Sequence, residues 1–153
     1  MSKLVRRSAA RLAAVQALYQ MEIAGTGLPD VLTEYESHWI GQNVDGQQHP
    51  EAEAAYFRDI VSGVLREQRT LDPLVDEALS NGWPLKRVEA VLRAVLRAGA
   101  YELSYKPDVP ARAAVSEYVN VAGAFLDSDE TGMVNAVLDG LARKLRAAEF
   151  DRG

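Results

Sequence analysis

Apolar residues recur three and four positions apart along almost the whole chain, and no segment alternates apolar and polar positions between turn signals as a strand does. This pattern predicts an all-α fold. The prolines at positions 29, 50, 73, 84, 107 and 110 each stand where a helix start or a connection is expected. They divide the sequence into about seven helices.

The first helix is expected from Leu4 to Ala24, with Leu12, Val15, Leu18, Tyr19 and Ile23 as its apolar stripe and Gly25-Thr26-Gly27 as its stop. A second, from Pro29 to Trp39, leads into the polar stretch Gly41 to Pro50, which reads as a mobile loop. The third, Glu51 to Arg69, sets Phe57, Ile60, Val61, Val64 and Leu65 against Arg58, Asp59, Ser62 and Arg66. A short fourth begins at Asp72-Pro73, with Asp72 as N-cap, and ends at Asn81-Gly82. The fifth, Pro84 to Tyr105, buries Leu85, Val88, Val91, Leu92, Val95, Leu96 and Leu103 and has the length of a central strut. Gly99 lies on that buried face, where a glycine marks a close helix crossing. After the rigid link Lys106 to Pro110, two amphipathic helices follow, Ala111 to Leu126 and Thr131 to Ala147, the last entered through Asp129 or Glu130. One domain is expected, built of helical subdomains of about residues 1–70 and 71–153 that share a core.

Charge changes this picture at one end. The first 21 residues carry Lys3, Arg6, Arg7 and Arg11 and no acid, whereas the whole chain is formally −5, so the remainder sums to −9. Lys3, Arg7 and Arg11 stand at i, i+4 and i+8 and form one ridge, with Arg6 to the side. A helix surface that is merely solvated mixes its charges. An arginine-rich ridge without acids on an acidic body suits phosphate, which the planar guanidinium grips with two hydrogen bonds. On the fifth helix Lys86, Arg93, Arg97 and Tyr101 form a second ridge, cations beside an aromatic ring, as in single-stranded RNA sites. Tyr19 is ambiguous between packed and presented.

Little else points to chemistry. The chain has no cysteine, so disulfides, thiolate metal sites and cysteine nucleophiles are excluded, and a reducing, cytoplasmic setting fits. There is no apolar run long enough for a signal peptide or a membrane span. His38 and His49 stand apart from other metal-ligand candidates, and the phosphate-loop, dinucleotide and nucleophile-elbow motifs are missing. Asp127-x-Asp129-x-Thr131-Gly132 resembles the start of a calcium loop, but its twelfth position is Leu138 rather than glutamate. A catalytic role, a cofactor and a metal are therefore not expected.

Several short stretches together resemble one family. They are Arg6-Arg7-Ser8-Ala9-Ala10-Arg11, then Val15-Gln16-Ala17-Leu18-Tyr19-Gln20, Tyr56-Phe57-Arg58, Leu96-Arg97-Ala98-Gly99-Ala100-Tyr101-Glu102-Leu103, Asp108-Val109-Pro110 and Val134-Asn135-Ala136-Val137-Leu138-Asp139. In this order, over nearly the full chain, they resemble the NusB family of bacterial transcription antitermination factors. The resemblance implies seven helices in two subdomains and no catalysis. It also implies binding of the boxA element of nascent ribosomal RNA together with a small-subunit ribosomal protein, NusE, within an antitermination complex on RNA polymerase. By matching position it assigns RNA contacts to Arg6, Arg7, Arg11, Gln16, Tyr19, Arg97, Tyr101 and Asp129, beside which the two ridges add Lys3 and Arg93. Arg7, Arg11 and Arg97 are expected on phosphates, with Gln16 and Tyr101 reading bases.

Three residues depart from the family pattern. Ser8 takes a usually basic site, and Met133 and Ala136 replace a common phenylalanine and glycine. Two other readings share these features: a detached RNA-binding domain of a ribosomal RNA cytosine methyltransferase, and a helical scaffold whose arginines meet an acidic protein. Monomer and homodimer are both compatible with the sequence.

Overall fold

A computed structural model describes residues 3–38, 43–44, 47–48, 53–79 and 88–151. The described residues form six α-helices: α1 (Lys3–Ala24), α2 (Leu28–His38), α3 (Ala54–Ala78), α4 (Ala90–Tyr105), α5 (Ala111–Gly123) and α6 (Ser128–Leu145), followed by a 3-10 turn at Ala147–Glu149. In the stretch expected to be a loop, β1 (Asn43–Val44) pairs antiparallel with β2 (Gln47–Gln48). The expected features at Trp39, His49, Asn81-Gly82, Pro84, Leu85 and Lys86 lie outside the described residues.

The core is organised around α4, which packs against α1, α3, α5 and α6. Ten of its residues from Leu92 to Leu103 are buried, small ones such as Ala94, Ala98 and Ala100 among them, so it is enclosed on nearly all sides. Its first helical residue is Ala90, six positions after the proline expected to start it, because Glu89 is still extended. The expected crossing at Gly99 is present: a Cβ there would stand 2.7 Å from a methyl of Leu138 on α6.

Two expectations about element ends are corrected. The expected third and fourth helices are one, α3, which runs unbroken through Pro73. Proline removes one backbone hydrogen bond. Here Arg69, Thr70 and Pro73 are solvent-exposed while Leu71 and Val75 are wholly buried, so the lost bond falls on the wet side and core burial continues the helix. The subdomain boundary expected near residue 70 thus falls inside a helix. Asp72 is accordingly a helix-interior residue and caps nothing. The last helix starts earlier than expected, at Ser128, because Asp127 is its cap: the Asp127 carboxylate accepts from the Glu130 N–H at 2.8 Å in a reciprocal capping box.

On α1 the buried face is Ala10, Ala14, Val15, Ala17 and Leu18, whereas Ile23 is 62% and Tyr19 38% exposed. The expected stripe is rotated, because alanines let α1 approach α3 and α4 closely and leave the larger residues at the edge. Gly25, with φ of 70°, closes the helix through its N–H to Met21 O at 3.0 Å. Near the C-terminus of the chain Glu149 accepts from the Ala111 N–H at 2.8 Å, capping α5 where Pro110 has no side-chain acceptor to do so.

Candidate nucleic-acid interface

The first turns of α1 lie over the start of α3, joined by a hydrogen bond from the Glu53 N–H to Arg6 O at 3.1 Å. Arg6 and Arg7 are half-buried. The Arg7 guanidinium sits 4.5 Å above the Tyr56 ring centre, with Nε 3.4 Å from Glu53. Among the described residues Arg6 has no ion-pair partner, and its buried Nε makes no hydrogen bond. Lys3 opens α1, but its side chain is outside the described set.

Arg11 departs from the expected ridge. It is 3% exposed and turned inward, its Nε donating to Glu102 Oε1 at 2.8 Å and its Nη1 lying 3.4 Å from Glu117. Burial alone opposes the charge, yet the hydrogen bond and attraction of Glu102 outweigh it and raise the arginine pKa further. This guanidinium has no open face left for a phosphate, so its expected contact is corrected to an internal ion pair. The same carboxylate accepts from the Tyr118 hydroxyl at 3.2 Å, and burial together with Glu102 pushes that phenol well above its ordinary value. Ser8, also expected at the basic surface, donates to the Glu117 carboxylate, whose oxygens lie 2.9 and 3.0 Å away.

The second ridge is neutralised by acids from other helices. Arg97 makes a two-pronged pair with Asp72 of α3, at 2.8 and 2.9 Å, and Arg93 pairs with Glu22 of α1. Tyr101 is 2% exposed and donates to Asp59 at 2.7 Å, so its ring is core and does not face a base. Burial and Asp59 push its phenol up to about 12. The periodicity of α4 shows one apolar side, but its polar side is covered by α1 and α3, which bring their own carboxylates.

The remaining expected residues fall elsewhere. Gln16 and Tyr19 line a groove of about 500 Å³ with Val15, Ile23, Val91 and Phe125, the last 39% exposed just after α5. Asp129 is exposed in the first turn of α6, four residues beyond Phe125. Met133, one turn further along α6, is also 39% exposed. Sequence reasoning assigned no site role to Tyr56 and Glu102, although both lie in the family-like stretches, nor to Glu117 and Phe125. A carboxylate amid the apolar run of α4 was the one available sign of Glu102, since a buried acid needs a buried cation.

From residue 8 to residue 143 the chain matches the sequence model of the NusB family. The chain belongs to the NusB family. Relatives named Transcription antitermination protein NusB include that of Bradyrhizobium diazoefficiens, 68% identical over 148 residues, which are 97% of this chain and 90% of that protein. The protein of that name from Nitrobacter hamburgensis is 66% identical over 147 residues, with coverage of 96% and 92%. Among solved structures, T. maritima NusB is similar at a TM-score of 0.77 and 26% identity, covering 95% of this chain and 96% of that one. A chain of a complex of antitermination factors NusB and NusE with dsRNA shares the fold at a TM-score of 0.72 and 24% identity, covering 90% of this chain and 96% of that one. The NusB resemblance in the sequence and the helical architecture of the structure therefore agree. Within that NusB fold, α1 carries the half-buried arginines at one end and the Tyr19 groove at the other.

Proposed function

We propose that this chain is a transcription antitermination factor that binds boxA-type single-stranded RNA of nascent ribosomal RNA transcripts together with the ribosomal protein NusE, in the cytoplasm, and joins the antitermination complex on RNA polymerase. It acts by binding and carries out no catalysis. The observation that carries this reading is the near full-length relationship to proteins of that name, at 68% identity. The site supports it: Arg6 and Arg7 at the start of α1 hold phosphates, and Gln16, Tyr19 and Phe125 at its far end offer polar and aromatic groups to bases. Apart from Phe125, which follows α5, the two sets share one helix. Asp129, exposed at the start of α6, belongs to the same site in this reading, and Arg11, Arg93, Arg97 and Tyr101 support it from within. Because the relatives are antitermination proteins spanned over about nine-tenths of their length, this reading is favoured over a detached methyltransferase domain.

The test is fluorescence-anisotropy titration of a boxA-type RNA and a scrambled control, with and without NusE. Arg6→Ala with Arg7→Ala is expected to weaken binding and to flatten the salt slope by about 1.4, at ~0.7 per phosphate contact on a single strand. Equal affinity for both RNAs in the presence of NusE, or a double-alanine variant that binds as the parent does, refutes the reading.

A further inference from the structure

Arg11 belongs by sequence to the basic head, yet it points into the protein and meets Glu102, a residue with 0% exposure. Packing alone does not demand such a pair. Apolar residues of the same volume fill a core without the desolvation that a buried ion pair incurs, which its mutual attraction barely offsets. What the pair does supply is direction. Arg11 Nε meets Glu102 at 2.8 Å, while the Tyr118 hydroxyl of α5 holds the same carboxylate oxygen at 3.2 Å. The other end of the guanidinium reaches Tyr56, whose hydroxyl is 3.5 Å from Nη2 and whose ring lies under Arg7. Nη1 faces Glu117, and Glu117 accepts from Ser8, three residues before Arg11.

Glu102 thus holds α1 directly at Arg11, and Arg11 in turn shares Glu117 with Ser8 and Tyr56 with Arg7, so three places on the first turns of α1 are linked through this one guanidinium. A helix turns about 100° per residue, so a slip of α1 by one position carries Nε away from Glu102, swings Arg7 off Tyr56 and turns Arg6 with it. We propose that Glu102 is a positioning residue for RNA capture, holding α1 through Arg11 and Tyr118 at the rotation where Arg7 stands over Tyr56 and Arg6, its neighbour in the chain, is half-buried beside the surface. The inference rests on the RNA-binding reading above, and goes beyond it by placing a determinant of affinity in the core, out of reach of any RNA.

The test compares three variants with the parent: Arg11→Met with Glu102→Gln, which removes both charges at near-constant volume; Tyr118→Phe, which removes one hydrogen bond to Glu102 and keeps the ring; and Arg6→Ala with Arg7→Ala. For each, the affinity and salt slope for a boxA-type RNA are measured well below the melting temperature, with amide hydrogen exchange over residues 3–11. The charge-free pair is expected to exchange faster in the first turns of α1 and to lose up to about 1.4 of the salt slope, although both surface arginines remain. Tyr118→Phe is expected to shift both readouts the same way by a smaller amount, and it decides the matter if the charge-free pair does not fold.

A purely structural role lowers melting temperature alone. Parental slope and parental exchange in Tyr118→Phe and in any folded charge-free pair, with binding lost in the double alanine, overturn the positioning role and leave the RNA-binding reading intact. Parental binding in the double alanine overturns that reading itself.

Discussion

Gly63 of α3 is the position at which a single methyl group should do the most harm. A Cβ built there would lie 2.2 Å from Cζ, 2.4 Å from Cε1 and 2.4 Å from the hydroxyl oxygen of Tyr101. Favourable carbon–carbon contact begins near ~3.5 Å, so the overlap exceeds 1 Å at several atoms at once. Tyr101 has nowhere to go: its ring is 2% exposed, its hydroxyl is bound to Asp59 at 2.7 Å and its ring centre lies 5.3 Å from that of Tyr105. Asp59 is one helical turn before Gly63, so the hydroxyl bond itself draws the ring across the glycine. Overpacking of this kind costs ~3 kcal/mol at the upper end of its usual range. The better helix propensity of alanine returns about 1 kcal/mol, leaving Gly63→Ala destabilised by about 2 kcal/mol. For a chain of this size that is a fall in melting temperature of roughly 4–8 °C.

Gly140 on α6 provides the control, because no atom lies within 4 Å of its Cβ position. There the same substitution keeps only the propensity gain, and stability should rise by ~0.5–1 kcal/mol. Urea denaturation and calorimetry measure both variants. If the clash is the cause, Gly63→Ala costs much less in a Tyr101→Leu background, since the two changes share one contact. Gly63→Ala as stable as Gly140→Ala refutes the account of how α3 and α4 cross.

Two further outcomes are expected. Burial works against the Asp59 charge, but hydrogen bonds from Lys106 and Tyr101 outweigh it and hold the carboxyl below its ordinary 3.8. Its contribution is therefore complete above that value and lost as pH falls through the lowered one. Urea midpoints should show the parent's advantage over Asp59→Asn shrinking as pH falls below the ordinary carboxyl value of 3.8; an advantage independent of pH contradicts the pairing. Asp127→Ala removes the cap of α6 and should cost ~1 kcal/mol by thermal unfolding, with faster amide exchange at Glu130. A variant unchanged in both measures would show that the capping box contributes nothing.

Much of the fold was legible in the residues because its signals are local. The spacing of apolar positions, the stop at Gly25 and the close crossing at Gly99 each depend on a few neighbours in the chain, and each is present in the structure. The basic start of α1 was equally plain as a run of charges. Whether each charge faces water was not, because its partners come from far away: Glu102 is 91 residues beyond Arg11, and Asp72 is 25 before Arg97. Helical periodicity distinguishes an apolar from a polar side but carries no record of which polar side another helix will cover. That is why Tyr101, Arg93 and Arg97 read as a surface ridge and are instead tied down by α1 and α3. Pro73 shows the same limit in the opposite sense, since a local helix breaker was overridden by burial of Leu71 and Val75 on either side. By itself the sequence determined that the chain is helical, where most helices lie, and that its first turns are basic. Only the tertiary structure decided which of those arginines remain at the surface, because the counter-charges and the covering helices are brought together by long-range packing that no local pattern contains.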